Sequence, residues 1–166
     1  PRAACRPATV RVRCSRSGDR PWDLRDEPAN RAFLAELRRA NIEPAPWLDD
    51  TPRVVGDLTL ELTGDPIEVF AMGAHFGTCL SPGGGNFFSV VANAADVNKR
   101  VIYAKRDGRV VGRCLIALTD TFAILVFNVY AHEDLQLETH VRDFVLELAR
   151  EMGTTVAPRG TVRLLL

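Results

Sequence analysis

A two-residue turn between two apolar segments is the feature of this sequence that most restricts its fold. Asp107-Gly108 separates the strand-like run 100–105 from the run 109–118, and an Asp-Gly pair tolerates the positive φ angles of a tight hairpin turn. A third β-rich run, 123–130, follows after a short connection. These three segments predict an antiparallel meander.

Segments with helical spacing of apolar residues surround this meander, and further strands are predicted before and after it. The predicted helices cover about residues 30–41, 66–72, 86–98 and 135–152, and Gly153 is expected to end the last of them. Residues 53–62 predict a strand or a hairpin turning at Gly56-Asp57, and residues 161–166 predict a final strand. The order indicates an α+β fold, a mostly antiparallel sheet with helices packed on one face.

Length and composition indicate one domain. A chain of 166 residues is suited to a single core. We interpret residues 1–20 as a basic N-terminal arm and residues 21–166 as a single α+β domain. Because the chain begins with Pro1, we expect it to be excised from a longer protein. No apolar segment resembling a signal peptide is visible near its start, and we expect a cytoplasmic protein without a membrane partner.

The charge of the chain is balanced overall but unevenly distributed. Residues 1–20 hold six arginines against one aspartate, a net of +5, and residues 99–113 hold six basic side chains against one aspartate, again +5. The formal net charge is +0, so nucleic acid is not favoured as a partner. The basic segments predict either a face for phosphates or an acidic partner, or an arm that docks on the acidic residues 21–66.

A glycine-rich loop at residues 73–85 contains the most reactive candidate side chains. Cys79 lies before a predicted helix, whose dipole favours a thiolate. A thiol nucleophile needs a base, which would be His132 at the end of the third meander strand, oriented by Asn128, with His75 as the alternative base. The order cysteine, helix, histidine resembles that of papain- and transglutaminase-like enzymes. The alternative is a buried structural cysteine.

The same loop predicts an anion site, because a glycine-rich run before a helix offers backbone N–H groups. No Gly-Lys-Ser/Thr follows, so this is not a nucleotide-binding P-loop. The candidate ligand-binding residues are Ser81, Gly83, Gly84, Asn86, Asn93, Lys99, Arg100 and Arg113. Metal binding by His75, Cys79, Cys114 and His132 is the weaker interpretation, since no paired-ligand motif is present, and we expect neither a metal nor a cofactor.

The order of strands and helix over residues 100–152 resembles that of acetyltransferases of the GNAT type. In that family a glycine-containing loop after the third of these strands wraps the cofactor diphosphate. Residues 131–140 instead contain no glycine and several acidic side chains, which would repel a diphosphate. The resemblance therefore implies a shared topology and not acetyl-CoA binding.

A second resemblance covers about a third of the chain. Its residues are Met72-Gly73, Thr78–Ser81, Gly83-Gly84, Asn86, Asn93-Ala94, Asn98–Ala104 and Val111–Leu115, with Pro46–Leu48 upstream. They are similar to an uncharacterised bacterial domain family found in large proteins with HEAT-like helical repeats. The resemblance implies a module of a larger protein, and it implies no activity.

Two functions follow from these observations. The first is a thiol-dependent hydrolase or acyl transferase with a Cys79–His132 site and an oxyanion donor among the backbone N–H groups of the loop. The second is a non-catalytic recognition module, in which the glycine loop and the basic hairpin 99–113 bind a peptide or a nucleic-acid phosphate. A peptide or protein partner is the expectation in the second case.

Overall fold

The computed structural model of the protein describes residues 23–133 and 136–165. The predicted basic arm lies outside these residues. After a short 3-10 helix at Leu24–Asp26, the helices are α1 Pro28–Arg39, α2 Ala45–Leu48, α3 Pro66–Ala71, α4 Ser89–Ala95 and α5 Leu137–Met152. The strands are β1 Arg53–Val55, β2 Leu58–Thr63, β3 Lys99–Arg106, β4 Arg109–Leu118, β5 Ile124–Ala131 and β6 Val156–Ala157. No helix of the described ranges is long and apolar enough to cross a membrane.

The strands form one sheet in chain order, β1-β2-β3-β4-β5-β6. All neighbouring pairs are antiparallel except β5 and β6, which run parallel and are connected through α5. The turn between β3 and β4 has positive φ at both central residues, 50° at Asp107 and 77° at Gly108. The predicted meander and the α+β class are confirmed.

Helices lie on both faces of this sheet and not on one face as predicted, because β3 and β4 carry apolar side chains on both faces. The larger core contains α1, α2 and α5 packed against side chains such as Leu60, Ile102 and Ile116. A smaller core on the other face contains α3 and α4, packed against Val101, Tyr103 and Leu115. Side chains alternate between the faces of a strand, so neighbouring residues of β3 and β4 belong to different cores.

Two predicted elements differ from the observed ones. The helix predicted from Asn86 begins at Ser89, because residues 84–88 form successive tight turns, with Phe87 N–H bonded to the Gly84 carbonyl and Ser89 N–H to the Asn86 carbonyl. The predicted final strand is wrong, since residues 161–165 have no regular structure and the last strand is Val156–Ala157.

The chain after β6 turns away from β5. Pro158 follows β6 directly and has no N–H with which to continue a ladder. The backbone then bonds along the end of the sheet where β5 begins: Asp120 N–H donates to the Thr161 carbonyl at 2.8 Å, and Asn98 Nδ2 donates to the Arg163 carbonyl at 2.9 Å. β5 is therefore paired with β6 only at Ile124 and Leu125.

The N-terminal part of the described chain is attached to the sheet through a buried amide, and this contact is testable. Asn30 Nδ2 donates to the carbonyls of Leu24 and Ala95, at 3.0 and 2.9 Å, and its Oδ1 accepts from Val97 N–H at 3.0 Å. Asn30→Ala leaves these groups buried without partners. We expect it to lower the free energy of unfolding in urea by about 2–4 kcal/mol.

Arg31→Ala is the matched control, because Arg31 is the exposed next residue of α1. Its unfolding free energy should change by less than about 0.5 kcal/mol. An equally small change for Asn30→Ala would contradict the attachment described here.

Candidate functional site

A row of three large side chains crosses the centre of the sheet on the face covered by α3 and α4. Tyr103 of β3 pairs in register with Arg113 of β4, which pairs with Tyr130 of β5. Side chains directly opposite each other on adjacent antiparallel strands point to the same face. The Arg113 guanidinium carbon consequently lies 4.5 Å from the centroid of the Tyr130 ring.

The glycine-rich loop lies over this row and is closed by its own backbone. A Cβ atom at Gly73 would lie 1.9 Å from the Leu80 carbonyl oxygen, and one at Gly84 would lie 2.5 Å from the Cys79 carbonyl oxygen. Ser81 Oγ donates to the Phe76 carbonyl and accepts from Thr78 N–H, at 2.7 and 2.8 Å. Glycine is therefore required where two parts of the loop touch.

Aromatic and imidazole rings connect the loop to the row. The buried ring of Phe76 lies with its centroid 5.8 Å from the guanidinium carbon of Arg113, and the His132 ring stacks on it at a centroid distance of 4.3 Å. The His75 ring meets the Tyr103 ring edge-on at 5.4 Å. The structure thus brings His75, His132 and Arg113 together around the loop that carries Cys79.

Arg113 is the unusual group of this cluster. Its side chain is 1% exposed, its Nη2 donates to Thr78 Oγ1 at 3.0 Å, and its buried Nε has no hydrogen-bond partner. No carboxylate of the described residues forms an ion pair with it. Burial lowers the pKa of the guanidinium.

The partners of Arg113 do not offset the cost of burying it. Removing an ion from water costs several kcal/mol, whereas a cation–π contact contributes about 0.5–2 kcal/mol. Two ring contacts and one neutral hydrogen bond therefore leave part of the desolvation cost without compensation. The positive charge of Arg113 is therefore balanced by no acidic side chain of the described residues.

The predicted catalytic residues lie around the same loop, and the described residues show no hydrogen bond between them. Cys79 is exposed, and within the described ranges neither His75 nor His132 forms a hydrogen bond with its Sγ. Burial lowers the pKa of His75 below its ordinary value of 6.5, and the positive charges of Arg113 and His132 act in the same direction. The lowered pKa favours the neutral imidazole, the state required of a base, although the charge of Glu68 acts in the opposite direction. The other described cysteine, Cys114, is buried, and burial raises its pKa to about 12.

The remaining predicted ligand residues fall into separate places. Ser81, Gly83 and Gly84 belong to the loop, Asn86 is exposed on the turns that follow it, and Asn93 is half-buried on α4. Lys99 and Arg100 are buried and bonded within the chain, Lys99 to Asp96 and Arg100 to Asp50 and the Trp47 carbonyl.

Internal partners also occupy much of the charge of the hairpin 99–113. Lys105 pairs with Glu61, and Arg106 pairs with Asp57 and Glu133. The sequence predicted a basic face because the acidic partners of these residues belong to distant segments and are not evident beside them. Most of the predicted basic face therefore does not exist as a free surface.

A second feature, which sequence reasoning missed, is a groove beside β5. It has a volume of about 720 Å³ and is lined by β5, by α5 and by the residues of β6. The candidate orienting residue Asn128 lines this groove. From Val126 to Ala131 no strand of the described chain pairs with the outer edge of β5. The signal in the sequence was Pro158, which limits the length of a strand before it.

The walls of the groove are mainly apolar. Val141 and Val145 of α5 form its floor, while Phe127 and Leu146 are 42% and 52% exposed at its rim. A smaller polar hollow of about 280 Å³ continues toward the start of α5 and is lined by two carboxylates, those of Glu133 and Glu138. The groove thus offers apolar surface, unpaired backbone groups and negative charge at one end.

The described residues contain no group of three or more histidine, cysteine or acidic side chains that could hold a metal ion. No protein-family model matches the chain, and a search of curated proteins found no match. Among solved structures, the chain is similar to the crystal structure of ribosomal-protein-alanine N-acetyltransferase from Brucella melitensis biovar Abortus 2308, with 18% identity and a TM-score of 0.46. The match covers 61% of this chain and 81% of that chain, and we derive no activity from it.

The closure of the loop is testable with two glycine variants. In Gly84→Ala the new methyl group would meet the backbone at Cys79, so the loop must shift. We expect an unfolding free energy lower by about 1–3 kcal/mol, the usual cost of overpacking. Gly77→Ala is the control, because nothing lies within 4 Å of its Cβ position. Equal stability of the two variants in urea denaturation would contradict the described closure.

Proposed function

We propose that the protein is a recognition module that binds an extended peptide segment by adding it as a strand to β5. The observation that carries this proposal is the unpaired outer edge of β5 from Val126 to Ala131, which opens into the groove. Unpaired N–H and C=O groups at a sheet edge are a template for another strand. Peptide ligands of this mode gain affinity from these groups and specificity from side-chain pockets.

The dimensions and walls of the groove suit such a ligand. Six residues of strand extend roughly 20 Å, which defines a ligand of about five to seven residues. Alternate side chains of an added strand point toward α5, where the exposed Leu146 offers an apolar surface above the buried Val141 and Val145. We therefore expect ligands with apolar residues at every second position.

Charge at the α5 end of the groove favours a peptide over a diphosphate-containing cofactor, since Arg142, which also lines the groove, is paired with Asp143 at 3.3 Å. Glu133 and Glu138 lie at the end of the groove where α5 begins, and Glu133 is partly neutralised by Arg106 at 3.0 Å. Carboxylates repel phosphate groups but attract a basic side chain or a free amino terminus. A positively charged residue at one end of the ligand is the expected complement.

Selection from a phage-displayed library of random octapeptides tests this proposal. Enriched peptides should alternate apolar and polar residues and should bind at least about tenfold more weakly to Leu146→Arg, because the arginine fills the rim of the groove. Val54→Arg is the matched control, since Val54 is an exposed apolar residue on β1, at the other edge of the sheet. N-methylation of alternate amides in a selected peptide should abolish binding.

Three results would contradict strand addition at this edge. They are selected peptides that bind Leu146→Arg as well as the unchanged protein, peptides indifferent to N-methylation at every position, and a library that yields no binder. Binding of acetyl-CoA that is lost in Leu146→Arg, without peptide binding, would overturn the proposal in favour of a nucleotide thioester as the occupant.

A thiol-dependent hydrolase or acyl transferase at Cys79 is the second candidate function. The exposed thiol and the lowered pKa of His75 in the same loop support it. The backbone N–H groups of Gly77 and Cys79 make no hydrogen bond with the described residues and would serve as oxyanion donors. The imidazole would accept the thiol proton, and the thiolate would attack a carbonyl to form a thioester while the bond to the leaving group breaks and that group takes the proton from the imidazolium. Water or an acceptor nucleophile would then attack the thioester, giving its proton to the imidazole and regenerating the thiolate.

The pH dependence of iodoacetamide labelling at Cys79, followed by mass spectrometry, tests the second candidate. An activated thiol should be labelled rapidly near pH 6, and His132→Ala or His75→Ala should slow labelling at least about tenfold, since a base typically contributes 10²–10⁴-fold. His140→Ala is the control. Labelling that follows an ordinary thiol profile and is equal in all variants would exclude a Cys–His nucleophile.

A further inference from the structure

We infer that Arg113 and Thr78 form a binding site for a small oxyanion, a carboxylate or phosphate group, beneath the glycine-rich loop. This site lies on the face of the sheet covered by α3 and α4, whereas the groove beside β5 is lined by α5. The inference is independent of strand addition, and neither proposal depends on the other.

The first argument is the state of the guanidinium. A planar guanidinium carries five N–H donors and is the preferred protein partner of carboxylate and phosphate groups. The only hydrogen bond of Arg113 side-chain donors to the described residues is from Nη2 to Thr78 Oγ1, at 3.0 Å, and the buried Nε has no partner. A buried guanidinium whose neighbours are aromatic rings and not carboxylates retains N–H donors and a positive charge with which an external anion can pair.

Arg100 provides the internal comparison. It is also a buried arginine of a central strand, 3% exposed against 1% for Arg113. Its Nε is likewise buried without a partner, but its terminal nitrogens contact the Asp50 carboxylate and the carbonyls of Trp47 and Leu62. The chain thus supplies a carboxylate and two carbonyls to one of its two central buried arginines and only a hydroxyl and rings to the other.

The second argument is the donor content of the loop above Arg113. Thr78 is half-buried and joins the guanidinium to the loop, while Gly77 and Cys79 on either side of it are exposed. Their backbone N–H groups make no hydrogen bond with the described residues. A hydroxyl between two such N–H groups, close to a buried cation, supplies the additional donors that an oxyanion requires.

The nearest charged and titratable groups do not replace this anion. The Glu61 carboxylate is paired with Lys105. Glu68 acts on His75 electrostatically, and its carbonyl accepts the Tyr103 hydroxyl at 2.7 Å, but it forms no ion pair with Arg113. His132, His75 and Lys105, other titratable side chains near this cluster, carry no negative charge.

Protection of Cys79 from iodoacetamide tests the site with defined probes. Sodium phosphate and sodium acetate would be compared with sodium chloride at equal ionic strength and pH 7, with labelling at Cys79 followed by mass spectrometry. A bound oxyanion covers the loop, so labelling should slow about tenfold at roughly ten times the dissociation constant. The two salts distinguish a phosphate from a carboxylate ligand.

The variants assign the effect to the cluster. Arg113→Met should weaken the protecting affinity at least about tenfold, the loss expected for a charge-assisted hydrogen bond, and Thr78→Val should weaken it several-fold. Arg109→Met, an exposed arginine of the same strand, is the control and should behave like the unchanged protein. Thr78→Val leaves Arg113 and its packing unchanged. It therefore tests the site if Arg113→Met does not fold.

Labelling that is equally fast in all three salts would overturn the site. Protection that persists unchanged in Thr78→Val and Arg113→Met would also overturn it, since the anion would then be held elsewhere. Because Leu146→Arg leaves this face untouched, that variant should keep its anion protection, whether or not it still binds peptides. Failure of the oxyanion site is therefore distinguishable from failure of strand addition.

Discussion

A buried ion pair between Asp96 and Lys99 determines where the C-terminal segment runs. Both side chains are almost completely inaccessible, and charges removed from water need further hydrogen bonds to be stable. Leu165 N–H donates to the Asp96 carboxylate at 3.2 Å, and Lys99 Nζ lies 3.4 Å from the Arg163 carbonyl. Residues 163–165 are therefore held at the start of β3. They do not extend β6 along β5, so this ion pair and Pro158 together leave the outer edge of β5 unpaired among the described residues.

The two faces of the sheet are stabilised by different interactions. On the face of α1 and α5, aliphatic packing provides a rigid wall, and the chain leaves backbone groups unpaired beside it. On the face of α3 and α4, rings and a guanidinium occupy the centre, and only a short glycine-rich loop separates them from solvent. Strand alternation lets one sheet carry both surfaces, since successive residues of β4, such as Cys114 and Arg113, point to opposite faces.

Local signals in the sequence were sufficient for the elements whose structure depends on local residues. The turn at Asp107-Gly108 and the end of α5 at Gly153, with φ of 75°, follow from backbone preferences that neighbouring residues do not alter. The prediction of a strand at residues 161–166 was wrong. It rested on the leucines of this segment, whereas contacts with Asp96 and Asn98 hold the backbone in an irregular path.

The candidate site could be predicted only in part, because some of its contacts depend on residues that are distant in the sequence. The loop with His75 and Cys79 was visible from its glycines, and Arg113 was recognised as a candidate ligand residue. Its burial under Phe76 depends on strand register, which one sequence does not display. The groove beside β5 exists because the C-terminal segment bonds to Asn98 and Asp96 and does not pair with β5. The residues of β5 alone therefore do not predict the groove.

The tight crossing of the loop at Gly73 and Gly84 also constrains how this protein can evolve. Any side chain at either position collides with main-chain atoms, which cannot rotate out of the way. Gly77 and Gly85, in the same loop, have open space around their Cβ positions. Substitutions that accumulate in this loop are therefore expected at Gly77 and Gly85. Gly73 and Gly84 should remain glycine, because the two parts of the loop touch there.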